Sequence, residues 1–221
     1  MTINPERLKH IEDHEGQTFK EYVTNLRLSP EDFDKKILDV GSGIGSFAKA
    51  SKERGLANDI YSIDFHFVPY ETGKGAVADV TRLPFPDKTF DLIISNCAIP
   101  NVLSSQFDHN KEAVEKRIVD AFDECVRVAK DGGEVRLSPV FRGDYFESYR
   151  VLSAAVTKAL QYVKEKYNVD VEEIKIGDKR ESSFSDEETA HIDGEKSDSD
   201  RIVREDYLVI IKKPNNNLDE N

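Results

Sequence analysis

The feature that most constrains the fold is an apolar run that breaks into alternating glycines, residues 37–45 (ILDVGSGIG). Residues 36–40 have the composition of a buried strand, and residues 46–54 have that of a helix. A strand that turns through glycines into a helix brings the helix N-terminus, with its free N–H groups, to the strand's carboxyl end. Because open α/β sheets bind their ligands at that edge, the glycine turn predicts a ligand site.

Strand-like and helix-like segments alternate along the rest of the chain. Strands are predicted at 36–40, 59–64, 75–80, 90–95, 134–140, 169–176 and 206–213, and helices within 5–27 and at 46–54, 112–130 and 145–167. Helices between strands indicate a mostly parallel sheet with helices on both faces. We expect a single domain over 1–214, with an N-terminal helical segment at 1–30, an acid-rich excursion between the last two strands at 177–205, and a flexible tail at 215–221.

Composition narrows the function classes. The 221-residue chain has a net charge of −12, which argues against nucleic-acid binding through clustered Lys and Arg. No apolar run reaches the roughly 20 residues of a membrane span, and the N-terminus lacks a signal-peptide pattern. Cys97 and Cys125 lie far apart without the spacing of metal ligands. These observations predict a cytoplasmic protein with neither a metal site nor a membrane segment.

Each of the first three predicted strands ends near an aspartate. Asp39 precedes the first glycine, Asp64 ends the second strand, and Asp79 lies at the end of the third. A carboxylate in the position of Asp64 can accept both hydroxyls of a ribose. A row of carboxylates would repel a diphosphate and attract a nucleoside with a cationic tail. The spacing G-x-G-x-G also differs from the dinucleotide fingerprint G-x-G-x-x-G.

The motifs ILDVGSGIG at 37–45, ID at 63–64, ADVTRLPF at 78–85 and FDLIIS at 90–95 occur in order. Together they resemble the class I S-adenosylmethionine-dependent methyltransferases, in particular the small-molecule, methyltransferase type 11-like subgroup. This resemblance implies a Rossmann-like, mostly parallel seven-stranded sheet whose last strand runs antiparallel. It also implies S-adenosylmethionine as the cofactor.

The resemblance assigns roles by position. The glycines would let the backbone approach the methionine part of the cofactor, whose ammonium group Asp39 would orient. Asp64 would bind the ribose hydroxyls, Asp79 with the Val80 backbone would hold the adenine, and Asn96 would lie near the transferred methyl group. The implied cofactor-binding residues are Asp39, Gly41, Ser42, Gly43, Gly45, Asp64, Phe65, Asp79, Val80 and Asn96.

The acceptor side of the site is less defined. Residues 95–101 (SNCAIPN) lack the His or paired aromatic residues that the subgroup often carries, and the Asn-Pro-Pro-[Tyr/Phe] signature of amino-group methylation on DNA and protein glutamine is absent. Cys97 is interpreted as a small buried residue, because no basic neighbour would lower its pKa. The candidate catalytic residues are Asn96, His109 and Arg142, with His66 as a further isolated candidate base.

Three functional hypotheses remain open. The leading one is a methyltransferase acting on a small molecule, as a monomer or a homodimer. The second is a non-catalytic module that binds S-adenosylmethionine or a related nucleoside. The third is an NAD-dependent oxidoreductase, against which the glycine spacing and the row of acids argue. Tyr22 is assigned either to the core or to a cover over the cofactor.

Overall fold

The computed structural model describes residues 16–56, 59–66, 74–105, 110–180 and 202–215. Within these ranges seven strands form one sheet: β1 (Ile37–Val40), β2 (Ile60–Asp64), β3 (Gly75–Val77), β4 (Phe90–Asn96), β5 (Ala129–Arg142), β6 (Asp170–Arg180) and β7 (Ile202–Lys212). The helices are α1 (Gly16–Asn25), α2 (Ser46–Glu53), α3 (Asn101–Ser105), α4 (Lys111–Val128) and α5 (Glu147–Tyr167), and a 3-10 helix covers Pro30–Asp34.

The strand order is β3-β2-β1-β4-β5-β7-β6. Strands β3, β2, β1, β4 and β5 pair in parallel, whereas β7 is antiparallel to both of its neighbours, β5 and β6. The reversal follows from the chain order, since parallel neighbours need a long crossover, usually a helix, and antiparallel neighbours do not. The predicted fold class, a mostly parallel seven-stranded sheet with an antiparallel last strand, is confirmed.

Helices cover both faces of the sheet and bury two apolar clusters. One cluster joins α4 and α5 to the face that carries Leu38 and Val40, and the other joins α1 and α2 to the face that carries Ile37. Because successive side chains of a strand alternate between faces, Asp39 lies on the same face as Ile37. The strand therefore places a carboxyl group beneath α1 and α2.

None of the described helices combines the length and the apolar character that crossing a bilayer requires.

The predicted end of helix α4 is wrong by two residues. The helix predicted at 112–130 ends at Val128, and β5 begins at Ala129, where the backbone turns extended (φ −70°, ψ 136°) and pairs with Phe90. Gly132 adopts φ 76° inside this strand instead of terminating the helix. The pairing with β4 overrides the local helical pattern.

The acid-rich excursion is shorter than predicted. Residues 177–180 and 202–205 continue β6 and β7, with Asp178 opposite Glu205 and Arg180 opposite Ile202. Polar residues can extend these strands because the backbone hydrogen bonds between two strands do not require apolar side chains. Ion pairs such as Lys175–Glu205 also join the two strands. Residues 181–201, which include the acid-rich middle of the excursion, lie outside the described residues. So do residues 1–15 of the N-terminal segment and 216–221 of the predicted tail.

Candidate ligand site at the carboxyl edge of the sheet

The glycine turn has a backbone that only glycine adopts without strain. Gly41, Gly43 and Gly45 have φ angles of 74°, 58° and 91°. At Gly41 a Cβ atom would lie 2.3 Å from the Cβ of Ala98, so the loop after β4 packs directly on this backbone. At Gly43 a Cβ atom would meet nothing within 4 Å among the described residues. Gly45 caps the N-terminus of α2. The turn is therefore closed on one side by packing and open on the other.

A cavity of about 260 Å³ lies beside this turn at the carboxyl edge of the sheet. The ends of β1 and β2 and the segments that follow β3 and β4 form its walls. Six of the predicted cofactor-binding residues line it: Gly41, Gly43, Asp64, Phe65, Asp79 and Val80. The topology thus gathers onto one cavity residues that are up to 39 positions apart in the chain (Gly41 to Val80).

Two of the predicted acids face the cavity with their carboxylates fixed by backbone amides. Asp64 accepts hydrogen bonds from the amide of Gly43 at Oδ2 (3.0 Å) and from the amide of His66 at Oδ1 (2.8 Å). Asp79 Oδ1 accepts from the amide and the hydroxyl of Thr81 (2.9 and 2.8 Å). A carboxylate can accept about four hydrogen bonds, so these contacts orient each group and leave it able to accept from a ligand.

Asp39 lies deeper, with 0% of its surface exposed. The Tyr22 hydroxyl donates to Asp39 Oδ1 at 3.2 Å, while Oδ2 is buried without a hydrogen-bond partner among the described residues. Tyr22 is itself held by stacking on Phe47, with ring centroids 4.3 Å apart and planes inclined by 8°. Burial, opposed by the Tyr22 hydrogen bond and assisted by the charge of Asp64, raises the pKa of Asp39 to about 8. Tyr22 belongs to the core and also contacts a predicted site residue.

The remaining predicted cofactor-binding residues surround the cavity without lining it. The Ser42 hydroxyl donates to the Ile63 carbonyl at 3.2 Å and ties the turn to β2. Asn96 is buried, and its Oδ1 accepts from the Asn25 side chain of α1 at 3.0 Å. This amide pair joins the end of β4 to the end of α1, so both elements are fixed relative to the cavity.

The structure separates Arg142 from the cavity. Its guanidinium donates to the Ser153 carbonyl (2.8 Å) and the Thr157 hydroxyl (3.0 Å), and it pairs with Glu173. These bonds connect β5, α5 and β6, which gives Arg142 a structural role in this arrangement. Among the other candidate bases, His109 lies outside the described residues and His66 lines the cavity.

The interpretation of Cys97 as a buried residue is wrong. Cys97 is exposed, lines the cavity and adopts φ 56°. The strand ends at Asn96, and the chain turns sharply outward there, which a purely apolar pattern does not reveal. Partial desolvation and the charges of Glu21 and Asp206 raise the pKa of Cys97, so the group is a thiol at neutral pH.

Sequence reasoning missed one wall of the cavity. Ala98, Ile99, Val102 and Leu103 line it from the loop after β4 and from α3, and Arg117 reaches it from α4. Arg117 also approaches Asp79, with 3.9 Å between Nη2 and Oδ1. The apolar segment 98–103 directly follows the carboxyl end of a central strand. That position could have indicated that the segment lines the ligand edge of the sheet. No motif marks Arg117.

The seven-stranded sheet, the glycine turn after β1 and the acids at the ends of the neighbouring strands agree with the Rossmann-like methyltransferase fold that the sequence motifs imply. Residues 38–137 match a family model described as a methyltransferase domain. The resemblance recognised from the sequence motifs is thereby confirmed.

Curated relatives agree with that class over part of their length. The chain is 29% identical over 113 residues to the ubiquinone/menaquinone biosynthesis C-methyltransferase UbiE of Cupriavidus metallidurans, which covers 46% of this chain and 41% of that protein. It is 30% identical over 112 residues to the same enzyme of Cupriavidus taiwanensis, covering 45% and 41%. The chain thus spans about two fifths of the length of these relatives.

Solved structures share the fold at low sequence identity. A SAM dependent methyltransferase from Archaeoglobus fulgidus superposes with a TM-score of 0.54 at 17% identity, covering 95% of this chain and 100% of that one. The [4+2]-cyclase SpnF superposes with a TM-score of 0.52 at 17% identity, covering 90% and 80%. The same fold therefore occurs in proteins whose names specify different reactions.

Proposed function

We propose that this protein is an S-adenosylmethionine-dependent methyltransferase that acts on a small-molecule acceptor. The observation that carries the proposal is the arrangement of three aspartates around one glycine turn, at the ends of β1, β2 and the segment after β3. Two of these aspartates line the cavity and the third is buried beside the turn with an oxygen that lacks a described partner.

Each part of the cofactor has candidate partners among the described residues. An ammonium group would satisfy the buried Asp39 Oδ2, whose carboxyl otherwise lies in an apolar environment. Asp64, oriented by the Gly43 and His66 amides, would accept the two ribose hydroxyls. Asp79 and the Val80 backbone would hold the adenine, with Phe65, 46% exposed in the free protein, available to cover its face.

The cofactor, when bound, supplies a methyl group on a positively charged sulfur. The protein's own work is to hold the acceptor in line with that group and to exclude water, which can lower a barrier by roughly 7–11 kcal/mol. The hydrogen-bonded pair Asn25–Asn96 would fix the wall nearest the acceptor. Cys97, as a thiol on that wall, would help to shape the cavity and would not act as a nucleophile. The C-methyltransferases among the relatives make a carbon atom one of the acceptor atoms to test.

A second candidate function is binding of S-adenosylmethionine, or of a related nucleoside, without methyl transfer. This second function stays a candidate because a cyclase shares the fold, and a fold alone does not determine which reaction a protein catalyses. We further propose a cytoplasmic location, which the two free cysteines support, and a monomer or homodimer as the working assembly.

The decisive experiment combines binding with turnover. We expect S-adenosylmethionine and S-adenosylhomocysteine to bind in calorimetric titrations and NAD not to bind. Incubation with labelled S-adenosylmethionine and fractionated metabolite extracts should then label an acceptor. Asp64→Asn should weaken the binding of S-adenosylhomocysteine about tenfold or more, because hydrogen bonds to a charged acceptor contribute roughly 1.5–3 kcal/mol.

Asp59→Asn is the matched control, because Asp59 precedes the opposite end of β2 and forms an exposed ion pair with Lys74. It should leave binding unchanged. Binding without transfer to any fraction would favour the second candidate function. Binding of NAD alone would contradict both.

A further inference from the structure

The contact between Tyr22 and Asp39 points to a property of the site beyond its cofactor class. Asp39 is a carboxyl group with no exposed surface, and the described residues give it one hydrogen bond, from the Tyr22 hydroxyl. No Lys or Arg side chain of the described ranges acts on its charge, since the groups that do are Tyr22 and Asp64. A buried carboxylate without a cation is costly, so the free protein has a physical reason to keep this group neutral.

We propose that Asp39 carries a proton in the free protein and that binding of the ligand's ammonium group releases this proton to solvent, with Tyr22 as the positioning residue that holds the carboxyl group in place. The inference rests on the proposed function, since it needs a ligand with an ammonium group. In the step, the Asp39 O–H bond breaks and its proton passes to the buffer. An N–H of the ammonium group then donates to the vacated oxygen.

The groups that face Asp39 support this assignment. Tyr22 approaches from α1, Asp64 stands at the end of β2, and the partner of Asp39 in β4 is the apolar Ile94. Burial and the like charge of Asp64 both disfavour the carboxylate, and only the Tyr22 hydrogen bond favours it. Burial together with Asp39 raises the pKa of Tyr22 well above its ordinary value, so its hydroxyl stays a donor throughout the neutral range.

Calorimetry in several buffers measures the proton directly. S-adenosylhomocysteine is titrated at several pH values from about 7 to about 9, each in two buffers whose ionisation enthalpies differ, such as phosphate and Tris near pH 7.5. The dependence of the observed heat on buffer enthalpy gives the number of protons released. We expect close to one proton per ligand near pH 7, declining as the pH rises through about 8, the pKa of Asp39 in the free protein.

A truncated ligand and two variants separate this proton from others. 5′-Methylthioadenosine, which lacks the amino-acid part, should bind without proton release. Asp39→Asn should abolish the release with S-adenosylhomocysteine. Tyr22→Phe keeps the stacking on Phe47 but removes the hydrogen bond, so it should weaken binding about tenfold at pH 7 and move the decline in proton release to higher pH.

Tyr167→Phe is the matched control, because the Tyr167 hydroxyl also donates to a carboxylate, Asp123 at 2.7 Å, on the helical layer of α4 and α5. It should change neither affinity nor proton release. Binding of S-adenosylhomocysteine without proton release, equal release with 5′-methylthioadenosine, or an unchanged pH profile in Tyr22→Phe would each overturn the inference while leaving the proposed function intact. Failure of S-adenosylhomocysteine to bind at all would overturn both.

Discussion

Two aspartates at strand β1 are almost fully buried. Asp32 lies in the 3-10 helix that precedes the strand, and Asp39 lies in the carboxyl half of the strand itself. Asp32 is 2% exposed and Asp39 is 0% exposed. Asp32 accepts from Lys35 (2.7 Å), from the Ser29 amide (2.9 Å) and from Arg136 (2.8 Å). Asp39 accepts from one neutral hydroxyl at 3.2 Å.

Their proton affinities diverge accordingly. Burial opposes ionisation of Asp32, but hydrogen bonds from Lys35, Ser29 and Arg136 outweigh it and lower its pKa to about 2. Burial dominates at Asp39 and raises its pKa to about 8. A carboxylate that only serves the fold has its partners within the chain, whereas one that awaits a ligand lacks them. This is the difference expected between an acid that stabilises the fold, Asp32 in the 3-10 helix, and an acid that is proposed to bind a ligand, Asp39 in β1.

The largest expected effect is on the pH dependence of stability through Asp39. An unfolded Asp ionises near pH 3.9, while folded Asp39 keeps its proton up to about pH 8. The folded state therefore binds more protons between these values, and the free energy of unfolding should fall as the pH rises, by up to about 1.4 kcal/mol per pH unit and roughly 6 kcal/mol in all. Asp39→Asn should remove this slope.

Urea unfolding of both proteins at pH 5 and pH 8 without ligand measures that difference. Asn cannot ionise, so every other titrating group cancels in the comparison. Stability profiles that run parallel between the two proteins would mean that Asp39 is already ionised in the free protein. S-adenosylhomocysteine should stabilise the natural protein at pH 8 more than it stabilises the variant.

The next effect is at Asp32, with the opposite dependence on pH. Asp32→Ala leaves Arg136 short of a buried partner and should cost about 3 kcal/mol of unfolding free energy at pH 7, by urea unfolding. Because the pKa of Asp32 is depressed in the folded state, its stabilisation is present above pH 3.9 and is lost as the pH falls toward 2. Asp120→Ala removes an exposed pair with Lys116 and should cost less than about 0.5 kcal/mol. Equal costs at both sites would refute the distinction.

That the residues proposed to bind the cofactor lie around one cavity could be expected from the sequence, because their signals are local. A glycine turn after an apolar run and an acid after each of the next strands are short patterns, and strand alternation fixes the face of Asp39. The parallel order of the strands then brings these residues to one edge. These residues can be recognised although they are far apart in the chain, because each one directly follows or ends a strand that the local pattern predicts.

The rest depends on contacts that no local pattern encodes. Arg136 reaches Asp32 across 104 positions of the chain, and Arg142 bonds to α5 and β6 instead of turning to the cavity. The outward turn at Cys97 follows from how β4 ends beside the glycine turn. The cavity wall formed by residues 98–103 is unpredictable for the same reason, since apolar residues such as Ile99 and Val102 pack in cores and line cavities with equal ease.

The smallest expected effects separate folding from binding at the carboxyl end of β1. Gly41→Ala should destabilise the protein by about 2 kcal/mol or more, because its φ of 74° is unfavourable and its Cβ would lie 2.3 Å from Ala98. Gly43→Ala should cost only about 1 kcal/mol, since its φ of 58° is unfavourable but the space around it is open. Thermal unfolding compares the two. In titrations with S-adenosylhomocysteine, however, Gly43→Ala should weaken binding more than its stability cost implies, because the added methyl group enters the cavity. If the two variants lose stability and affinity in the same proportion, the turn is only a structural connection.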